Sequence, residues 1–333
     1  MKNRTLLKML PFMIPFAFLI PVLITLSPQW LRLLDIGQLQ SLKTVFMGIF
    51  LEAVPFLLIG VLVSSLLQWL VPETWIRKIA PAHPVPGVLL ASLLGMLFPI
   101  CECGMIPVVR QLMLKGMPAY MGITFILSGP IINPVVLAAT MMAFPSHPEV
   151  TAVRMGLAFV VSATIGLIIY AFVRVHPLKR SLLSFNQQKQ NNQTHRHNRT
   201  WRGFFVHAGD EFLDMSKYLI IGALLTACIQ TFIPRDEMLS LSNGTAGSYA
   251  FMMGFAYVLS LCSTSDAFVA TAFSHTFTLG PLAAFLVLGP MLDFKGTLML
   301  LSTFRTKFVV ILGLLIILLV LMGSIAAEWL LGR

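Results

Sequence analysis

Charged residues are scarce in this sequence, since Asp, Glu, Lys and Arg make up 11% of 333 residues whereas hydrophobic residues make up 57%. A soluble globular domain carries about 25% charged residues. The composition therefore predicts an integral membrane protein with many spans. There are only four cysteines, and all lie in apolar segments, so metal or redox chemistry is a better interpretation of them than a disulfide framework.

Signatures of common enzymes are also missing. The sequence has no phosphate-binding glycine loop, no H-E-x-x-H and no G-x-S-x-G, which leaves no motif for an ATPase or a hydrolase. We therefore expect a protein that is not an enzyme and that has no cofactor. The paucity of His and Trp in the apolar segments speaks against haem.

Basic residues are concentrated in one polar segment, 174–202, which contains no acid. The net charge of +10 is therefore interpreted as positive-inside topology, with the amino terminus and this linker in the cytoplasm, and not as nucleic-acid binding. The two histidines of the linker, His195 and His197, are expected to be solvated.

Apolar segments recur along the whole chain and predict an all-α membrane protein with about eight or nine transmembrane helices. They lie at residues 10–26, 45–71, 87–109, 117–142, 153–173, 212–233, 248–273, 281–301 and 308–330. The predicted organisation is an amino-terminal helix and loop (1–44), a first membrane repeat (45–173), a basic cytoplasmic linker (174–208) and a second membrane repeat (209–333).

The two repeats are recognisable in the sequence. Residues 50–72 align without a gap on residues 212–234, with Glu52 opposite Asp214. An internal repeat is typical of transporters whose site lies between the halves. Positive-inside charge requires an odd number of crossings in each half, which predicts an inverted repeat with broken or re-entrant helices at the centre. Further matched positions are Cys101 near Cys262, Gly129-Pro130 with Gly289-Pro290, and Asn133 with Asp293.

The most unusual stretch in the apolar sequence is F-P-I-C-E-C-G-M-I-P, at residues 98–107. An acid at bilayer depth costs about 2.5 kcal/mol or more and is a functional-site hypothesis by default. Residues two apart on a helix point away from each other, so chelation by both thiols requires a helix break. The prolines and the glycine predict one. The candidate pathway residues here are Pro99, Cys101, Glu102, Cys103 and Gly104.

The counterpart in the second repeat is L-C-S-T-S-D-A, at residues 261–267. Its hydroxyls can simply bond to backbone carbonyls of their own helix. Asp266 has no Lys or Arg near it in sequence, so we predict that it titrates a proton or binds a cation, and that its removal leaves folding unharmed or improved. The candidate pathway residues are Cys262, Ser263, Thr264, Ser265 and Asp266.

Two further stretches predict paired helix breaks, S-G-P-I-I-N-P at 128–134 and L-G-P-M-L-D at 288–293. Unwound backbone there offers carbonyls and N–H groups to a solute; a packing kink is the alternative. Arg110 and Lys295 are candidate counter-ions for Glu102 and Asp293. Pathway residues assigned to these breaks are Ser128, Gly129, Pro130, Asn133, Pro134, Gly289, Pro290 and Asp293.

Thiolates select soft ions such as Cu(I), Zn(II) and trivalent arsenic. Cys101, Cys103 and Cys262 are therefore predicted ligands, with burial as small hydrophobic residues the alternative. Cys101 and Cys262 are expected near each other at the bilayer midplane. Glu52 and Asp214 either line a proton path or lie near the interface beside Lys43 and Lys217.

The motifs C-E-C-G (101–104), S-G-P-I-I-N-P (128–134) and C-S-T-S-D-A-F (262–268) together resemble the YraQ/YcgR family of predicted permeases. The ArsP permeases, which export trivalent organoarsenicals, are related to that family. The resemblance implies a permease of the bacterial inner membrane, with a smaller membrane protein as a possible partner. It implies that the three motifs belong to the pathway, without fixing the solute.

The predicted function is secondary transport, most simply efflux, of a soft, thiol-seeking solute such as a trivalent organoarsenical or a transition-metal ion. Glu102 and Asp266 are expected to couple this transport to protons. One alternative is a membrane thiol–disulfide or electron-transfer protein that uses Cys101 and Cys103. Another is a structural or assembly subunit, which has no need of acids at membrane depth.

Overall fold

The computed structural model describes residues 36–70, 72, 74–76, 83–97, 101–172, 177–178, 201–232 and 244–331. The predicted helix at 10–26, most of the linker and Pro99 lie outside these residues. Within them the chain forms twelve α-helices, numbered in chain order: α1 Ile36–Leu70, α2 Pro84–Leu97, α3 Glu102–Leu114, α4 Ala119–Ser128, α5 Pro134–Ala143, α6 Pro148–Phe172, α7 Trp201–Phe232, α8 Thr245–Leu259, α9 Ser265–Thr271, α10 Leu279–Met291, α11 Phe294–Thr303 and α12 Thr306–Leu331.

The prediction of an all-α membrane protein is confirmed. Among the described residues, five helical stretches are long and apolar enough to cross a bilayer: Leu39–Leu70, Pro148–Phe172, Phe204–Thr231, Leu279–Thr303 and Thr306–Leu331. Their outer faces expose large apolar side chains, as expected where lipid is the solvent. A total of eight or nine spans and an inverted repeat stay predictions.

The two longest helices, α1 and α7, pack against each other and run in opposite directions. Ser64, near the end of α1, bonds to Glu211, near the start of α7. Leu224, further along α7, lies with Lys43 and Phe46 near the start of α1. These are the helices that the sequence alignment pairs with each other.

A close backbone approach joins α1 to α3. A Cβ atom on Gly60 would overlap the Cα atom of Gly104, so there is no space for a side chain here. Gly222, which the alignment pairs with Gly60, lies against α11 instead, where its Cβ would be 3.2 Å from the Cα of Lys295. In each long helix, the glycine at this position therefore allows a short helix to pack closely against the long one.

Helix α10 forms the centre of the bundle. Every residue from Gly280 to Met291 is buried, and α10 packs against α4, α6, α8 and α12. Phe285 on α10 stacks on Phe255 of α8, with ring centroids 5.9 Å apart. Helix α10 ends at Met291, and the acid Asp293 two residues later caps the next helix, α11. The chain that leaves the most buried helix therefore carries a polar group into the interior.

Helix breaks occur near the predicted positions, but two details of the prediction are wrong. Helix α3 starts at Glu102 and continues through Gly104 and Pro107, so the break lies before the glycine and not at it. Helix α10 likewise continues through Gly289 and Pro290 to Met291. A proline removes one hydrogen bond and clashes with one carbonyl, a local cost that tight packing of α3 and α10 outweighs.

Candidate functional site

The first thiol pair lies where α3 begins. Cys101 is the residue before the helix and has extended backbone (φ −70°, ψ 168°), whereas Cys103 lies in the first turn and is 1% exposed. Cys101 is half-buried and lies two positions before the buried Cys103. Both cysteines are free. The break that chelation by both thiols requires is therefore present.

Glu102 shares a buried cation with an acid from the other end of the chain. Lys295 Nζ lies 3.3 Å from Glu102 Oε1 and 3.9 Å from Asp293 Oδ2. Glu102 lies between Cys101 and Cys103 in the chain, so the ammonium is held at the start of the helix that carries the thiols. Lys295, one of the two predicted counter-ions, pairs with both Glu102 and Asp293. The other candidate, Arg110, forms no ion pair with either, and its Nε is buried without a partner in the described structure.

The chain is unwound between α8 and α9, from Ser260 to Thr264. Ser260 has left-handed backbone (φ 48°, ψ 43°), a conformation that non-glycine residues seldom adopt. Its carbonyl oxygen lies 3.4 Å from Lys295 Nζ, and Gln230 Nε2 donates to the Leu259 carbonyl at 2.8 Å. These donors satisfy carbonyls that the break would otherwise leave unpaired in an apolar interior.

Asp266 is fully paired. Arg154 on α6, which is itself completely buried, places Nη2 at 2.9 Å and 3.0 Å from the two carboxylate oxygens. The same guanidinium donates to the Ser263 carbonyl at 2.7 Å and to Thr140 Oγ1 on α5 at 2.8 Å. The expectation that Asp266 is an isolated acid is therefore wrong, because its partner comes from a distant part of the sequence.

The Cys262 thiol lies in a group of hydroxyls with its own acid. Its sulfur is 3.0 Å from Thr264 Oγ1 and 3.2 Å from Ser265 Oγ. Ser265 donates to Glu52 Oε1 of α1 at 3.3 Å, so the Glu52 carboxylate lies next to a hydroxyl that contacts the thiol. Asp214, which the alignment pairs with Glu52, instead forms an exposed ion pair with Lys217 at 2.6 Å. Only Glu52 of these two acids belongs to the site.

The turn at 128–134 is a helix break held by Asn133. The side chain of Asn133 caps α5 by accepting from the Val136 amide at 2.9 Å, with Pro134 as the first residue of that helix. Gly129 lies against Met105 of α3, and the Ser128 hydroxyl is buried without a hydrogen-bond partner among the described residues. The turn therefore borders the helix that starts at the thiol pair.

The halves of the chain are joined by two reciprocal ion pairs. Arg154 of the first half binds Asp266 of the second, and Lys295 of the second half binds Glu102 of the first. Glu102 and Asp266 lie close enough to influence each other electrostatically. The polar residues predicted around 101–104, 262–266 and 293 are thus linked through the interior by Lys295 and Arg154. The proximity of Cys101 to Cys262 stays a prediction.

Sequence reasoning missed several polar residues that the structure brings into the interior. Arg154 stands alone in an apolar helix, which is the signal that could have found it. Glu211 is 4% exposed and accepts from Ser64 Oγ at 2.8 Å and from Gln111 Nε2 at 3.5 Å. It escaped notice because it lies at the boundary between the polar linker and the apolar segment.

No group of three or more His, Cys, Asp or Glu side chains in the described part of the chain could hold a metal ion. The set of Cys101, Cys103 and Cys262 as metal ligands stays a prediction. What the residues present offer is two adjacent thiols beside an ammonium group, and a third thiol beside a carboxylate.

Comparisons with known proteins agree with a transporter. A family model described as a predicted permease, ArsP_1, matches residues 38–328. The UPF0718 protein YcgR of Bacillus subtilis (strain 168) is 43% identical over 289 residues, covering 86% of this chain and 97% of that protein. A putative two-component membrane permease complex subunit of Streptococcus mutans is 33% identical over 268 residues, covering 80% and 87%. No solved structure matches. With its apolar helices and buried polar centre, the chain belongs to the ArsP_1 family of predicted permeases.

Proposed function

We propose that this permease is a secondary transporter that exports a soft, thiol-seeking solute, a trivalent organoarsenical or a transition-metal ion, in exchange for protons. The observation that carries the proposal is the free thiol pair of Cys101 and Cys103, held at a helix break in the protein interior. Thiols select soft ligands, and a break in a membrane helix exposes them to a solute.

Of the two solute classes, the described geometry favours the organoarsenical. A trivalent arsenic atom that carries one organic group has two bonds left for sulfur, which one pair of thiolates satisfies. A structural zinc ion takes four ligands, and the described residues offer no cluster of three. Transport of a metal ion would need ligands from water or from a second conformation of the protein.

Charges beside the thiols support coupling to protons. A thiol must lose its proton to bind a soft ion, so solute binding releases protons, and Lys295, which lies 3.3 Å from the neighbouring Glu102, is a nearby positive charge that can offset a thiolate. Glu52 accepts from the Ser265 hydroxyl that contacts Cys262, which gives the proton of this thiol a route to a carboxylate. Because Arg154 already balances Asp266, the coupling role predicted for Asp266 passes to acids whose charge is not balanced.

An inverted repeat with the site between its halves is part of the proposal. It is supported by the antiparallel packing of α1 and α7 and by the matching caps of Asn133 and Asp293. Positive-inside charge supports a bacterial inner-membrane location with the amino terminus and the 174–208 linker in the cytoplasm. The name of the Streptococcus mutans relative supports a membrane partner protein.

A thiol–disulfide or electron-transfer role is the second candidate, because Cys101 and Cys103 are free and adjacent. A redox pair needs both sulfurs for every turnover. Each single serine variant should then be as inactive as the double variant. A ligand pair, by contrast, should lose affinity in steps.

The test is transport of a trivalent methyl- or phenylarsenical, and separately of zinc, into everted membrane vesicles. C101S, C103S and the double variant are compared with C228S, whose cysteine lies on α7 outside the site. We expect uptake to fall with each substitution and to be lost in the double variant, while C228S behaves as the wild type. Full activity of the double variant towards every solute would exclude the thiol site.

A further inference from the structure

Asn133 and Asp293 precede matching short helices and cap them in the same way, but their second side-chain atoms differ. Asn133 Oδ1 accepts from Val136 N at 2.9 Å, and Asp293 Oδ1 accepts from Gly296 N at 2.7 Å. The amide nitrogen of Asn133 also donates to the carbonyls three and four residues before it, at 3.3 Å and 3.2 Å. The counterpart of that nitrogen is Asp293 Oδ2, which is buried and has no hydrogen-bond partner in the described structure.

The residues before both caps are the same Gly-Pro pair, 129–130 and 289–290. In the first half their carbonyl oxygens receive hydrogens from Asn133. The two turns are not identical, because Gly129 and Pro130 follow the end of α4 whereas Gly289 and Pro290 lie inside α10. A carboxylate has only lone pairs to offer, whereas a protonated carboxylic acid has one O–H to donate. Of the two states of Asp293, only the protonated acid can therefore donate a hydrogen as the Asn133 amide does.

The charges around Asp293 favour the same state. The groups that face it are Lys295 on its own helix, Glu102 from α3, and the Ser260 hydroxyl from the unwound segment. One ammonium therefore serves two acids, and it lies closer to Glu102 (3.3 Å) than to Asp293 (3.9 Å). Asp266 adds nothing to the balance, because Arg154 neutralises it. Full ionisation would leave an unpaired negative charge at 2% exposure, which is costly.

We propose that Asp293 binds a proton at Oδ2 in the solute-free protein, and that this is the proton exchanged for the transported solute. The second part rests on the proposed function, whereas the first does not. When Asp293 releases its proton it competes with Glu102 for Lys295. Because Glu102 lies between Cys101 and Cys103 in the chain, the proton on Asp293 controls how far Lys295 is shared at the helix start that carries both thiols.

The first part is tested without any solute, by infrared spectroscopy of the purified protein at neutral pH. The wild-type minus D293N difference spectrum should contain the carbonyl stretch of a protonated carboxylic acid. The control is D214N, since Asp214 is exposed and paired with Lys217 at 2.6 Å; its difference spectrum should contain a carboxylate band. A carboxylate band for Asp293 as well would overturn the proposal.

Two further measurements check that D293N folds normally and test its role in proton coupling. D293N should unfold at the same temperature as the wild type, because Asn133 already shows that an amide fits this cap. In vesicles, D293N should retain solute exchange at equilibrium but lose accumulation driven by a proton gradient. Full proton-driven accumulation by D293N would overturn the coupling role. If the wild type transports none of the solutes, the proposed function fails, while the infrared result still decides the protonation state.

Discussion

Arg154 Nη2 lies 2.9 Å from the carboxylate of Asp266, although the two residues are 112 positions apart in sequence. Both side chains are almost completely buried, and the guanidinium is held by two further oxygens from the Ser263 carbonyl and Thr140. The pair fixes the unwound segment before α9 against α5 and α6. The contact therefore contributes to the stability of the fold as well as to the candidate site.

The first prediction concerns that pair. R154M should lower the free energy of unfolding by about 3–5 kcal/mol, because it leaves a buried carboxylate without its cation. D266N should also destabilise the protein, in contrast to the sequence-based expectation, since it leaves Arg154 unbalanced. The double variant R154M/D266L should recover most of the loss. Thermal unfolding in detergent measures all three; equal stability of R154M and the wild type would contradict the structure.

A second prediction tests the close approach of α1 and α3. G60A should destabilise the protein by about 1–3 kcal/mol, because the added methyl group overlaps backbone atoms of Gly104 and one of the helices must move. Gly48, on the same helix, has nothing within 4 Å of an added Cβ. G48A is therefore the control, and it should be neutral or stabilising by up to about 1 kcal/mol. Unfolding in detergent should separate the two variants.

A third prediction uses the left-handed backbone of Ser260. S260G and S260A both lose the hydroxyl that accepts from the Lys295 amide at 3.4 Å, but only glycine adopts this conformation without strain. S260G should therefore be more stable than S260A by about 1 kcal/mol. If alanine were the better residue, the unwound segment would have to adopt another backbone conformation in the protein.

The fourth prediction exchanges the two caps. N133D should lower stability by about 1–3 kcal/mol, because the carboxylate cannot donate to Gly129 and Pro130 and so faces their carbonyls unpaired. N133S is the control, since serine retains a capping oxygen without introducing a charge. The difference in unfolding temperature between N133D and N133S measures how much the carboxylate charge at this position destabilises the protein. A more stable N133D would mean that a cation lies nearby.

Much of this arrangement was accessible from the sequence. The polar residues of the 101–103 stretch and Asp266 were recognisable because burying a polar group in an apolar segment costs free energy. The aligned segments also predicted Asn133 and Asp293 as counterparts. Lys295 was predicted as a counter-ion at this site, but the partner of Asp266 was not, because a helix gives no indication of which distant helix it will contact. Arg154 was one residue in a long apolar stretch, and only three-dimensional packing assigns it to Asp266. Exact break positions also depended on packing, as the helical Gly104 and Pro290 demonstrate.

The two reciprocal ion pairs have a consequence for how the chain can be divided. Each half contributes one cation and one acid to the other. A first half produced alone would therefore carry Arg154 and Glu102 without these partners, and a second half would carry Asp266 without Arg154, while Lys295 would keep only Asp293. Helix insertion tolerates such charges poorly, and neither half is then an autonomous folding unit. A protein cut within the linker should assemble only when both fragments are synthesised together, by complementation in the membrane.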